Sequence, residues 1–182
     1  YSAVLSKQAT EQQLKVLVAQ KKMAGMLALA KYYLLQSNEA EAQKMLQLVK
    51  VQGEHPLNAL LQTDLYLSKN QIDEGYKLAE VLLRQQKIQD VQILVQKFLQ
   101  KNPRDVAGWR LMQQAANLDT ASPVRTINVL RYRAEAEYWS GEEKNAIKSL
   151  LHAQRLAKDN ASLSAKIDAR LTVMQDEYKL KI

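Results

Sequence analysis

"AEAEYWSGEEKNAIKSLLHAQRLAKDN", residues 134–160, decides the fold. Two runs of helix formers flank a single glycine, Gly141, and alanines stand at 134, 146 and 153. A pair of antiparallel helices accounts for both features. Ser140 and Gly141 end the first helix and supply the turn. Small side chains at crossing points let two helices approach closely, while large neighbours fill the gaps between them. Ala134 and Ala146 take the crossing positions, Leu150 fills the space one turn on, and Ala153 makes room for the helix that follows.

The same pattern extends along the chain. Met23, Met26, Leu27, Ala30, Tyr33 and Leu34 form one apolar stripe at helical spacing, and Leu163, Ile167, Leu171, Met174 and Tyr178 form another. Short polar breaks separate such runs: "QSNEA", "LSKNQID", "KNPRD", "LDTASP", "SGEE" and "KDNAS". Breaks this short make consecutive helices antiparallel neighbours. Pro56, Pro103 and Pro123 fall near helix starts, where a missing N–H costs least, and Asn160 or Ser162 can cap the last helix.

Composition agrees with helix almost throughout. The 182 residues contain 5 Gly and 3 Pro, are 47% apolar and 25% charged, and include no Cys. That mixture suits a folded chain rather than a disordered one and excludes disulfides and thiolate metal sites. No apolar run reaches the roughly 18 residues needed for a membrane span. The net charge of +7 is spread thin: residues 1–100 hold 12 Lys/Arg against 9 Asp/Glu, and residues 101–182 hold 14 against 10. It reads as a mildly basic solvated surface, without the long Lys/Arg tract of a nucleic-acid binder.

Copies of the hairpin recur. Beside Ala134, Gly141, Ala146, Leu150 and Ala153 stands a second copy with Ala30, Tyr33, Ala42, Leu46 and Val49, followed by a copy with Tyr66, Ile72 and Gly75, and one with Ala79, Leu82, Val91 and Pro103. These residues resemble the tetratricopeptide repeat, a helix–turn–helix unit of about 34 residues. The expected fold is all-α, a right-handed stack of antiparallel hairpins with nine to ten helices, in one domain over 1–182. It comprises a lead-in helix over 1–20, irregular hairpins over 21–103, and over 104–182 an extra helix near Trp109, the best hairpin and a capping helix. The small position of each second helix steps from 42 to 75, then to 91, then to 146. The short step implies a lost helix, a truncated repeat or missing residues near 73–78.

Past residue 98 the order "KNPRDVAGWRLMQQAANLD", "RAEAEYWSGEEKNAIKSLL", "SLSAKIDARLTVMQ" resembles the C-terminal tetratricopeptide domain of the periplasmic β-barrel assembly-enhancing zinc metalloprotease (the BepA family). The matching segments are Pro103 to Trp109, Arg133 to Gly141, and Ile167 to Arg170. The resemblance implies a periplasmic protein-interaction scaffold acting in outer-membrane protein assembly and quality control. Its partners would be its own protease domain and the β-barrel assembly machinery with its substrates, not nucleic acid. The start at Tyr1 fits a piece of something longer, with the protease domain expected ahead of it. Zinc belongs to that domain alone. A zinc-protease helix needs His-Glu-x-x-His, and the two histidines here, His55 and His152, stand in separate segments. No catalytic residue, metal site or cofactor is therefore expected in this chain.

His55 reads as a solvated turn residue and His152 as a surface side chain of an amphipathic helix. The pairs Asp73–Glu74 and Glu142–Glu143 sit in first turns, where they suit the positive end of a helix. Trp109 and Trp139 are expected to fill the core, but adjacent Tyr138 and Trp139 cannot both point inward, so one reaches a groove or an adjoining surface. In tetratricopeptide arrays the first helices line a concave face. Carried over, that pattern makes Lys31, Asp64, Arg84, Arg131, Glu135 and Tyr138 the candidate protein-binding residues. A cytosolic regulatory or nucleic-acid-binding repeat protein is the alternative that the basic charge allows.

Overall fold

The computed structural model describes residues 10–53 and 55–181. Among these the fold is all-α, with ten helices and no strand: α1 (Glu11–Ala19), α2 (Met23–Leu35), α3 (Glu39–Gln52), α4 (Pro56–Ser68), α5 (Ile72–Arg84), α6 (Ile88–Lys101), α7 (Val106–Leu118), α8 (Arg125–Trp139), α9 (Glu143–Leu156) and α10 (Ala161–Lys179). Of the lead-in helix expected over 1–20, residues 1–9 lie outside the described residues, and the remainder contains α1. The chain divides into two compact units, Tyr1–Leu78 and Ala79–Ile182, and the division falls inside α5. None of the described helices is long and apolar enough to cross a membrane.

The first unit is built around α2. Six consecutive residues, Gly25 to Ala30, are buried, and Tyr33 joins them. A helix that is apolar all round has to be enclosed, and α1, α3 and α4 all pack on it. Gly25 sets how close α1 comes: a Cβ there would lie 2.5 Å from Leu17 Cβ and 3.0 Å from the Leu17 carbonyl carbon. Leu14, Leu46, Val49, Leu61 and Leu65 complete this core. A polar contact closes its edge, where Glu11 accepts from Lys15 Nζ at 2.6 Å and from the Tyr33 hydroxyl at 3.0 Å. The Lys15 bond first, then the Tyr33 bond, hold the Glu11 carboxyl below its ordinary range, while burial pushes the Tyr33 phenol up.

In the second unit each helix from α6 to α10 packs on the next. Ala134, Ala146, Ala153 and Ala157 have no exposed surface, and Leu150, Ile167 and Met174 fill the spaces around them. Residues 134–160 thus form two antiparallel neighbouring helices whose expected small positions are buried. Gly141 forms the turn with φ +87°, and Asn160, not Ser162, caps α10 by accepting from Leu163 N–H. Asp105 caps α7 by accepting from the Ala107 and Gly108 amides.

The irregular step in the repeat needs correcting. Helix α5 runs unbroken over Ile72–Arg84, and Val91 lies on the next helix, α6. The buried small residue of the second helix is instead Gly108 on α7. The positions thus run 42, 75, 108 and 146, two steps of 33 residues and one of 38. No helix is lost. The break between α5 and α6 went unread because it is Gln85–Gln86–Lys87, three good helix formers.

That break is one of five identical turns. After α1, α2, α4, α5 and α8 a residue takes the left-handed conformation: Lys21, Ser37, Asn70, Gln86 and Gly141. The following amide reaches back to the helix in each case: Lys22 to Leu17, Asn38 to Tyr33, Gln71 to Tyr66, Lys87 to Leu82 and Glu142 to Glu137, at 2.8–3.2 Å. This is the Schellman closure, with glycine used in only one of the five.

Two stability effects follow in opposite directions. Gly25→Ala improves intrinsic helix propensity but overpacks the α1–α2 contact, so it should destabilise by about 1–2 kcal/mol in urea melts. A gain in stability would refute the close approach. Ser37→Gly and Gln86→Gly remove left-handed strain and should each stabilise by up to about 1 kcal/mol, whereas Gly141→Ala should cost a similar amount. Melting temperatures that move the other way would refute the turn assignment.

Candidate functional site

The groove of interest lies in the second unit, has a volume of about 360 Å³, and takes residues from α6 through α10. Its floor is apolar: Leu99 from α6, Met112 from α7, Leu150 from α9 and Ile167 from α10. Along one side the Trp109 and Tyr132 rings stack, with centroids 6.1 Å apart and planes 26° from parallel. Trp109 follows the buried Gly108 on α7, and its indole N–H donates to Pro103 O at 2.8 Å. That bond fixes the ring at the groove edge, half-exposed rather than as core filler. Burial pushes the Tyr132 phenol up, partly offset by the nearby Arg131 charge.

The groove's charges divide into two sets. Glu135 and Arg170 pair bidentately, at 2.7 Å and 2.8 Å, with the Glu135 side chain 15% exposed. The Arg170 guanidinium also sits 5.1 Å from the Tyr138 ring and 5.7 Å from the Trp139 ring. It is thereby held on both sides. Arg131 and Lys166 form the other set. Arg131 bonds Asn128 at 3.1 Å and lies 5.9 Å from the Tyr132 ring. Neither Arg131 nor Lys166 pairs with a carboxylate among the described residues.

The six candidate residues separate accordingly. Lys31 on α2 and Asp64 on α4 pair at 3.0 Å, both largely buried, in the first unit. Arg131 and Glu135 share the groove. Tyr138 is buried, with its hydroxyl donating to Glu177 and its ring edge-on to Trp139 at 5.1 Å. Trp139 is half-buried under Arg104, at 5.2 Å, and Arg170, and neither of these adjacent aromatics lines the groove. The Trp139 indole N–H has no acceptor among the described residues. Arg84 lies in the last turn of α5, a second helix rather than a first, and is exposed beside Glu80 at 3.8 Å. His55 caps α4 by accepting from Leu57 N–H at 3.2 Å, and His152 is exposed on α9.

Trp109, Tyr132 and Lys166 were not among the candidates. The signal for Trp109 was its place next to a glycine on a helix face; Tyr132 and Lys166 carried none that spacing could expose. No family model and no curated protein matches the chain.

The Glu135–Arg170 pair ties α8 to α10. Glu135→Arg should destabilise by about 1–3 kcal/mol, since it sets two cations together in a partly buried site. Combining it with Arg170→Glu should restore at least half of the loss, read by chemical melts as a double-mutant cycle. Strict additivity of the two single losses would remove the pair from the structural account.

Proposed function

We propose that the chain is a protein-interaction scaffold and that it receives an extended polypeptide segment in the groove of its second unit. One observation carries this reading: a half-exposed Trp109–Tyr132 shelf stands over an apolar floor beside two cations that have no carboxylate partner among the described residues. Trp, Tyr and Arg are the side chains that dominate binding energy where they meet a desolvated partner. A volume of about 360 Å³ lies at the low end of the roughly 300–1,000 Å³ of small-ligand sites, room for side chains rather than for a folded surface.

The resemblance over 98–182 supplies the setting of this proposal. The scaffold would belong to the tetratricopeptide class and hold partners for a periplasmic zinc protease in outer-membrane protein assembly and quality control. Holding a partner near another domain raises effective concentration to about the millimolar range without new chemistry. The nucleic-acid alternative has less in its favour. Base-stacking proteins offer free aromatic faces along a basic track, whereas Trp109 is stacked on Tyr132 and Trp139 is covered by arginines.

Photo-crosslinking in cells tests the proposal. A photoreactive residue at Gln100, on the groove, should give discrete polypeptide adducts that include β-barrel assembly components, and Trp109→Ala should remove most of them. The same group at Gln47, exposed on α3, should not. Adducts to RNA in place of protein, or equal adducts from both positions, would overturn the reading.

A further inference from the structure

The groove's charge balance points to its ligand, and the inference rests on the polypeptide reading above. We propose that the groove selects an acidic side chain next to a large apolar one within an extended segment. Arg131 and Lys166 are the determinants of the acid, and Trp109 with Tyr132 of its apolar neighbour.

Among the described residues Glu135 is the groove's only acidic lining residue, and Arg170 holds both of its oxygens. It therefore presents no net negative charge to a ligand. Arg131 is half-buried and bonds a neutral amide, Asn128, and among the described residues neither it nor the exposed Lys166 has an ion pair. What remains is two cations facing an incoming group and no anion. Charge complementarity of this kind fixes which partner is accepted more than how tightly. A carboxylate would take charge-assisted hydrogen bonds from the planar Arg131 fork, which also suits its geometry.

The floor adds the second requirement. Leu99, Met112, Leu150 and Ile167 offer no hydrogen-bonding side-chain group, so a polar side chain placed there would lose its water without replacement. An aromatic or long aliphatic side chain loses nothing and gains the Trp109–Tyr132 shelf. Gln96 and Gln100 at the α6 side carry amides that can both donate to and accept from a peptide backbone. Two cations are too few for a phosphate backbone, whose binding scales with the number of phosphates neutralised.

Fluorescence anisotropy with the full chain at low salt tests the selection. The probes are a labelled Gly/Ser peptide holding Phe-Glu-Phe-Glu, the same peptide with Gln for each Glu, and a labelled short oligo-dT. The acidic peptide should bind at least about tenfold more tightly than the Gln peptide, equivalent to about 1.4 kcal/mol. Arg131→Gln with Lys166→Gln should abolish that preference while leaving the weaker binding of the Gln peptide in place. Trp109→Ala should weaken both peptides alike, with circular dichroism reporting intact helix in every variant. Equal affinity for the two peptides, both lost in Trp109→Ala, would overturn the acidic selection and leave the groove reading standing. Binding by neither peptide, or binding indifferent to Trp109→Ala, would overturn both. Oligo-dT binding tighter than either peptide would replace the ligand class altogether.

Discussion

The fold depends on one steric constraint, the small residue near the start of each second helix. Ala42, Gly75, Gly108 and Ala146 stand in the first turn, or just past it, of α3, α5, α7 and α9, and all four are buried. A larger side chain at such a position would push apart two helices whose larger residues already meet at interior density. Close approach then dictates what surrounds it. Leu46 follows Ala42, and Leu150 follows Ala146, one turn later and buried in each case. The turns need no such specificity. A three-residue Schellman closure built from Lys, Ser, Asn, Gln or Gly serves equally, because packing outweighs the roughly 1–2 kcal/mol that a non-glycine residue loses there.

Charge adds a second periodicity on the first helices. Lys31, Asp64, Lys97 and Glu135 follow one another at 33, 33 and 38 residues, the same steps as the small positions, and Arg170 stands 35 residues further on. The signs alternate throughout. Within the first unit Lys31 pairs with Asp64, and within the second Glu135 pairs with Arg170. Pairs this sheltered from water contribute little net energy relative to apolar residues, but breaking one is costly. Their effect is on register: a slip by one turn on either helix would leave a sheltered charge unmatched.

How far the sequence reveals this differs between fold and site. Alanine and glycine at helical spacing are legible because their smallness has one common use between close helices, and this is why residues 134–160 read correctly in detail. The α5–α6 junction is not legible, since Gln85, Gln86 and Lys87 favour helix and only the left-handed Gln86 breaks it. Reading through it placed Arg84 on the wrong kind of helix and took Val91 for a crossing residue. At the site, Arg131 and Glu135 follow from repeat position. Tyr138 was drawn outward by the same rule, yet Glu177 and Arg170 both come from α10 to satisfy it inside. Partners separated by 32 and 39 residues leave no local signature.

The proposed binding surface and the packing scheme use different members of the same rows. Residues at the repeated positions are consumed by neighbours: Glu135 by Arg170, and Gly108 by the helices it lets approach. Residues beside them are left over. Trp109 is one step past the buried Gly108, and its ring stands at the groove edge, where Pro103 fixes the indole N–H. Arg131 is one helical turn before Glu135 on the same face; it lines the groove but takes no part in the Glu135–Arg170 ion pair. Such a division would let an all-helical stack carry the proposed ligand preference on residues other than those that set its packing.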